Sequence, residues 1–291
     1  MENNLLEWLF ETNALRIAPA DKPFWYTSGK LGLFYVNTHF LYGSEEKAVN
    51  LLNIIDETKE KNPAELINKL NKEILNNYNE DNIFQGLINN MIEYINENIS
   101  INEFEYISGG ERRDWFFSLI IAKILNKKHI TIFKNLSMVI YDYDKEMLYK
   151  DDNLKGAKVL HIADLITEAS SYERAWIPAI KSINGQITQS IVVVDRDQGG
   201  EQVLKNNGIE SHCLCKFNYK LFVKALSLGC INEEQYVIVK EYLKDPEGAM
   251  KKFIKENPDF INNAVNSDDK KISETAKRCI EKGYYQEDIK K

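Results

Sequence analysis

The chain has 291 residues, 44% of them hydrophobic and 28% charged, enough apolar material to bury one large core or two smaller ones. Its formal charge of -7 excludes a general affinity for nucleic acid or anionic membranes, so any phosphate site must be local. No apolar run approaches the ~18 residues needed to cross a bilayer, and "MENNLLEWLF" lacks the pattern of a secretion signal; both features predict a cytoplasmic protein without a membrane partner.

The pattern predicts an N-terminal helix around residues 3 to 12. "KPFWYTSGKLGLFYVNTHFLYG" then alternates aromatic and small residues with glycine punctuation, which suggests a hairpin or two short strands. Three helices follow within residues 44 to 98, read from Ala48, Leu51, Leu52 and Ile55, from Leu66, Leu70 and Ile74, and from Phe84, Leu87, Ile88, Met91, Ile92 and Ile95. The second has a start signal in "NPAE", with Asn62 as cap and Pro63 at the first helical position.

From residue 103 strands and helices alternate. "FEYIS", "HITIF", "AKVLHIAD", "SIVVVD" and "SHCLCKF" read as strands, "DWFFSLIIAKILN" and residues 170 to 183 and 199 to 207 as helices, and "LSMVIYDY" with "MLYK" as a hairpin. Apolar, β-branched runs alternating with helices indicate an α/β fold with a mostly parallel sheet covered on both faces. The tail from residue 217 reads as helical, with Pro246 and Pro258 separating segments. Four divisions result: an N-terminal helix and strands at 1–43, a helical insertion at 44–102, an α/β core at 103–216 and a helical extension at 217–291. Cys213, Cys215, Cys230 and Cys279 read as buried or free thiols, and His39, His129, His161 and His212 form no ligand pair at helical spacing.

Ligands of such a sheet lie beyond the carboxyl ends of its strands, and three loops occupy those ends: 108 to 114, 164 to 171 and 195 to 200. In "SGGERRD", Gly109 and Gly110 can take positive φ and bring amides to a ligand, Arg112 and Arg113 offer guanidinium forks, and Asp114 is suited to cap the next helix. In "HIADLITEASS", Asp164 can accept from ribose hydroxyls, and Thr167, Ser170 and Ser171 can hold a phosphate at a helix start. In "VDRDQGG", Arg196 suits a flat polar ring or a carboxylate, or pairs with Asp195 or Asp197.

The order of these loops, with "FWYTSGKLGLFYVN" near the start, resembles the type I phosphoribosyltransferases, most closely those acting on orotate. The resemblance covers about residues 20 to 43 and 103 to 216. It implies a phosphoribosyltransferase fold with an N-terminal hood and extra helical segments. It also implies transfer of ribose 5-phosphate from phosphoribosyl pyrophosphate to orotate in pyrimidine nucleotide synthesis, with release of pyrophosphate. On this resemblance Lys30, Phe34, Tyr35 and Arg196 fall at the base. Gly109, Gly110, Arg112, Arg113, Thr167, Ser170 and Ser171 fall at the donor's phosphates, and Asp164 and Lys134 at the reacting centre. Mg2+ is the implied cofactor, linked to Asp164 through the ribose, and a homodimer the implied assembly.

The chain departs from the family pattern at Ala163, where a second acid is usual, and at Glu168 and Ala169 in the phosphate loop. Residues 134 to 158 contain Lys134 but neither the histidine nor the early glycine of the family's catalytic lid, and their alternation suggests a hairpin. Two other readings stay open: a non-catalytic regulatory protein that binds a nucleotide or phosphoribosyl compound, and a phosphoribosyltransferase for another base.

Overall fold

The computed structural model describes residues 2–19, 21–59, 62–151 and 153–285. The chain up to Ala14 forms one compact unit with Asn37–Phe217, and Leu15–Val36 forms a second with the chain from Asn218 onward.

Helix α1 (Glu2–Glu11) opens the first unit, and four short strands, β1 (Leu15–Ile17), β2 (Phe24–Trp25), β3 (Leu31–Gly32) and β4 (Phe34–Val36), belong to the second. A 3-10 turn at Thr38–Tyr42 leads to α2 (Glu45–Thr58), α3 (Pro63–Glu80) and α4 (Asn82–Asn98). Each of these helices starts on a side-chain cap. Ser44 accepts from the Lys47 N–H, Asn62 from those of Ala64 and Glu65, and Asp81 from that of Phe84, so backbone donors without helical partners are satisfied.

The sheet of this unit is built from β5 (Tyr106–Gly110), β6 (Lys128–Ile132), β7 (Met138–Asp142), β8 (Met147–Tyr149), β9 (Lys158–Ile166), β10 (Gln186–Asp195) and β11 (Glu210–Lys216). Their order is β11-β10-β9-β5-β6-β7-β8. The strands from β11 to β6 pair in parallel, and β7 and β8 are antiparallel additions. Chain order runs one way from β5 to β6 and the other way from β5 to β9, which makes the carboxyl ends of β5 and β9 the topological switch point.

Helix α5 (Trp115–Ile124) connects β5 to β6, and every residue from Trp115 to Ala122 is buried. One face lies on β5, β6 and β9 and the other meets α3 and α4. The helix is apolar all round because a second helical layer covers it, with Phe117 6.4 Å from Phe84 and Phe116 5.2 Å from Tyr42, ring to ring. A helix broken by a π turn at Tyr172–Trp176 continues as α6 (Ile177–Ser182) against β10, and α7 (Gly200–Asn206) lies on β11.

In the second unit β1 pairs with β4 and β2 with β3, both antiparallel. Its other elements are α8 (Tyr219–Ser227), α9 (Glu233–Lys244), α10 (Pro246–Glu256), α11 (Phe260–Val265) and α12 (Lys270–Glu281). The strands are too short to bury a core, so the helices supply it: Trp25 stacks on Phe260 at 5.8 Å, and Phe34 meets Phe222 and Tyr242, each at 5.7 Å. Gly29, at φ 94, passes so close to α12 that a Cβ would sit 3.0 Å from the Cys279 nitrogen. No helix among the described residues is long and apolar enough to cross a membrane.

Candidate active site

Gly109 and Gly110 end β5 opposite Thr131 and Ile132, and neither has the positive φ that the sequence suggested. Packing requires them instead. A Cβ on Gly109 would lie 2.2 Å from the Ser118 Oγ, and one on Gly110 2.0 Å from the Trp176 Nε1. The strand end is thereby clamped between α5 and the π turn, and the following peptide, Glu111–Arg112, is cis.

Asp114 does not cap α5, the role expected for it, because it already has helical dihedrals and turns its side chain inward. The β5–β9 ladder last pairs Ser108 with His161, after which the two strand ends separate. Asp114 spans the gap, accepting the Gly110 N–H at 2.9 Å on Oδ2 and the Asp164 N–H at 3.0 Å on Oδ1. Burial, and then the negative charge of Asp164, push the Asp114 carboxyl well above the usual carboxylate range.

Asp164 is half-buried on β9, and its Oδ2 accepts the Thr38 hydroxyl at 2.9 Å. Burial raises its pKa too, while the positive charge of Arg113 pulls the other way. Arg113 makes no hydrogen bond or ion pair among the described residues, so its charge is available to a ligand anion. Arg112 pairs with Asp56, whereas Glu111 joins the Lys59 Nζ to the Lys134 N–H, both at 2.9 Å. Lys134 itself is exposed in the tight β6–β7 turn, where Phe133 N–H donates to the Ser137 carbonyl, and beyond it β7 pairs antiparallel with β8, the hairpin that the alternation predicts.

Beyond β9 the loop 167–171 turns into the next helix. The hydroxyls of Thr167, Ser170 and Ser171 have no hydrogen-bond partner among the described residues. Ala169 stands at φ 57, in the left-handed region that a glycine takes without strain. Glu168 is exposed. This loop is tied to the third by two backbone bonds, Arg196 N–H to the Ile166 carbonyl at 3.0 Å and Gly200 N–H to the Thr167 carbonyl at 2.9 Å. At the third loop Lys216 stands 3.9 Å from Asp195 and 3.3 Å from Asp197.

The hood residues lie in the second unit. Lys30 Nζ sits 5.3 Å above the Tyr284 ring, and Tyr35 meets Phe24 and Tyr26 edge-on, each at 6.0 Å. Phe34 is 4% exposed and belongs to the core with Phe222 and Tyr242.

A polar seam beneath the site escaped sequence reasoning. His161 Nδ1 is 2.8 Å from the Ser108 Oγ and its ring stacks on Trp176 at 4.6 Å. His129 lies 2.9 Å from both Thr131 and Ser118. Burial holds both rings at a pKa of about 3, and burial with the charges of Arg113 and Arg112 does the same for His39. These three rings are expected to stay neutral in an NMR titration from about pH 8 to about pH 5, with unmoved Cε1 proton shifts. The native pKa is the lower one, so the unfolded chain binds more protons between about 3 and 6.5, and this contribution to stability is lost as pH falls through that window.

Among the described residues no three His, Cys, Asp or Glu gather as a metal site. Near the switch point Asp164 and, in the loop beyond β9, Glu168 are accessible carboxylates, while Asp114 is buried and engaged by backbone amides. Carboxylates so placed would suit a magnesium ion that brings waters and other ligands with it better than one held by the protein alone.

No protein-family model matches the chain. It is 28% identical over 170 residues to an orotate phosphoribosyltransferase of Sulfurisphaera tokodaii, covering 58% of this chain and 80% of that protein. It is 31% identical over 117 residues to the uridine 5'-monophosphate synthase of Bos taurus, covering 40% of this chain but 22% of the bovine one. A UMP synthase structure from Leishmania donovani has the same fold, with a TM-score of 0.52 and 16% identity over 83% of this chain and 42% of that chain. In sequence the chain is therefore similar to phosphoribosyltransferases, and it shares the fold of a UMP synthase.

Proposed function

We propose that the protein transfers ribose 5-phosphate from phosphoribosyl pyrophosphate to orotate. The observation that carries this reading is the convergence, at the β5/β9 switch point, of an available arginine, a half-buried carboxylate and a hydroxyl-lined loop at a helix start. Arg113, with Arg112, receives the pyrophosphate; Thr167, Ser170 and Ser171 receive the 5-phosphate; Asp164, oriented by Thr38, accepts from the ribose hydroxyls. Magnesium carried by the donor supplies further charge on the leaving group.

In this reaction positive charge grows on the ribose and negative charge on the departing pyrophosphate. Arg113 stabilises the second, and Asp164 fixes the ribose for attack by the base nitrogen, so catalysis is mostly positioning and electrostatics. The missing second acid at Ala163 is offset by Asp114, which does not touch the donor but fixes the Asp164 backbone from the neighbouring strand end. For the acceptor we assign Arg196, following the family resemblance.

Pyrophosphate release measured with donor, magnesium and a panel of orotate, uracil and adenine tests the reading. Release with orotate is expected, with a raised KM for orotate in Arg196→Ala. Release with adenine and none with orotate would overturn it.

A further inference from the structure

The loop that carries Arg112 and Arg113 is gripped by the end of α2, part of the helical insertion. Asp56 takes both the Arg112 guanidinium and, at 2.9 Å, the Lys59 ammonium, and Lys59 also reaches Glu111 at 2.9 Å. These contacts differ in kind. The Glu111 side chain is 7% exposed and also accepts the Lys134 N–H, so its pair with Lys59 fixes the path of the loop. The Asp56 and Arg112 side chains are 44% and 34% exposed, a solvated pair that breaks easily.

Arg112 and Arg113 therefore present themselves differently. Arg113 has no ion-pair partner among the described residues, while Arg112 already gives one guanidinium nitrogen, Nη1, to a carboxylate. A guanidinium fork engaged by one anion does not offer the same donors to a second. We propose that Asp56 is a built-in competitor for the pyrophosphate group, from which the donor must take Arg112. The insertion thereby sets the donor concentration at which the site fills. This rests on Arg112 being a pyrophosphate ligand.

Loss of a competitor and loss of a positioning group have opposite signs. Asp56→Asn keeps the shape of α2 and leaves the Lys59–Glu111 pair, so a competitor's removal tightens binding and a positioning group's removal weakens it. The experiment is calorimetric titration of the full chain with magnesium pyrophosphate, for the parent, Asp56→Asn, Arg112→Ala and the double variant. Asp56→Asn is expected to bind about two- to fivefold more tightly, as an exposed pair permits. Arg112→Ala is expected to bind more weakly, and adding Asp56→Asn to it to gain little. Unchanged or weaker binding by Asp56→Asn overturns the competitor, as does an undiminished gain without Arg112, which would mark a general charge effect. In either case a loss in Arg112→Ala would leave the pyrophosphate site standing. No binding by any of the four proteins would overturn the site and the competitor together.

Discussion

Asp164→Asn is expected to lower phosphoribosyl transfer by about 10²–10³-fold, the scale of losing one precisely placed polar contact to the reacting group. The amide keeps an oxygen to accept the Thr38 hydroxyl, and the backbone bond to Asp114 is untouched. Burial raises the pKa of Asp164, so its charged form carries a desolvation cost that the neutral amide lacks. Melting temperature is therefore expected to hold or rise while turnover falls, the behaviour of a group kept for function at some expense to stability. Measuring kcat and Tm on the same preparation checks both signs. Unchanged turnover with a lower Tm would make Asp164 a structural residue.

Gly200→Ala is expected to disable the site by a different route. Its N–H bonds the Thr167 carbonyl at 2.9 Å, and an added Cβ would lie 2.5 Å from that same oxygen and 2.6 Å from the Ile166 Cγ1. Thr167 O is backbone, so relief requires the phosphate loop and α7 to move apart. Overpacking of this kind costs about 1–3 kcal/mol. Donor KM is expected to rise at least about tenfold, because the hydroxyls of Thr167, Ser170 and Ser171 shift with the loop. Gly199→Ala tests a different property, since nothing lies within 4 Å of a Cβ there and only its φ of 92 opposes the methyl. Equal donor KM for Gly200→Ala and the parent would refute the coupling of the two loops.

The parallel sheet was legible because apolar, β-branched runs alternate with helices, and the glycines, acids and hydroxyls near the carboxyl ends of β5, β9 and β10 marked the three loops. That α3 and α4 cover the all-round apolar α5 was not read from the sequence, which showed their stripes but not what those stripes pack against. What stayed hidden depends on distant partners. Asp114 looked like a helix cap because Asp164, the residue whose amide it accepts, is 50 positions away. The glycines looked like a flexible anion loop, since nothing local shows that Ser118 and Trp176 occupy their missing Cβ positions. Phe34 lay in a motif suited to a base, yet its ring partners, Phe222 and Tyr242, come from a tail that reads only as helix. Asp56 and Lys59 lie on the polar face of an ordinary amphipathic helix, where charge is usually no more than a solvated surface.

The claim on which the account rests is a donor site at the carboxyl ends of β5 and β9, and 31P NMR of phosphoribosyl pyrophosphate tests it most directly. With magnesium and no acceptor, all three phosphorus resonances are expected to shift or broaden on adding the protein. Arg113→Ala is expected to diminish the effect on the two pyrophosphate resonances more than on the 5-phosphate. A spectrum unchanged by the parent protein, or changed equally by the parent and Arg113→Ala, would contradict it.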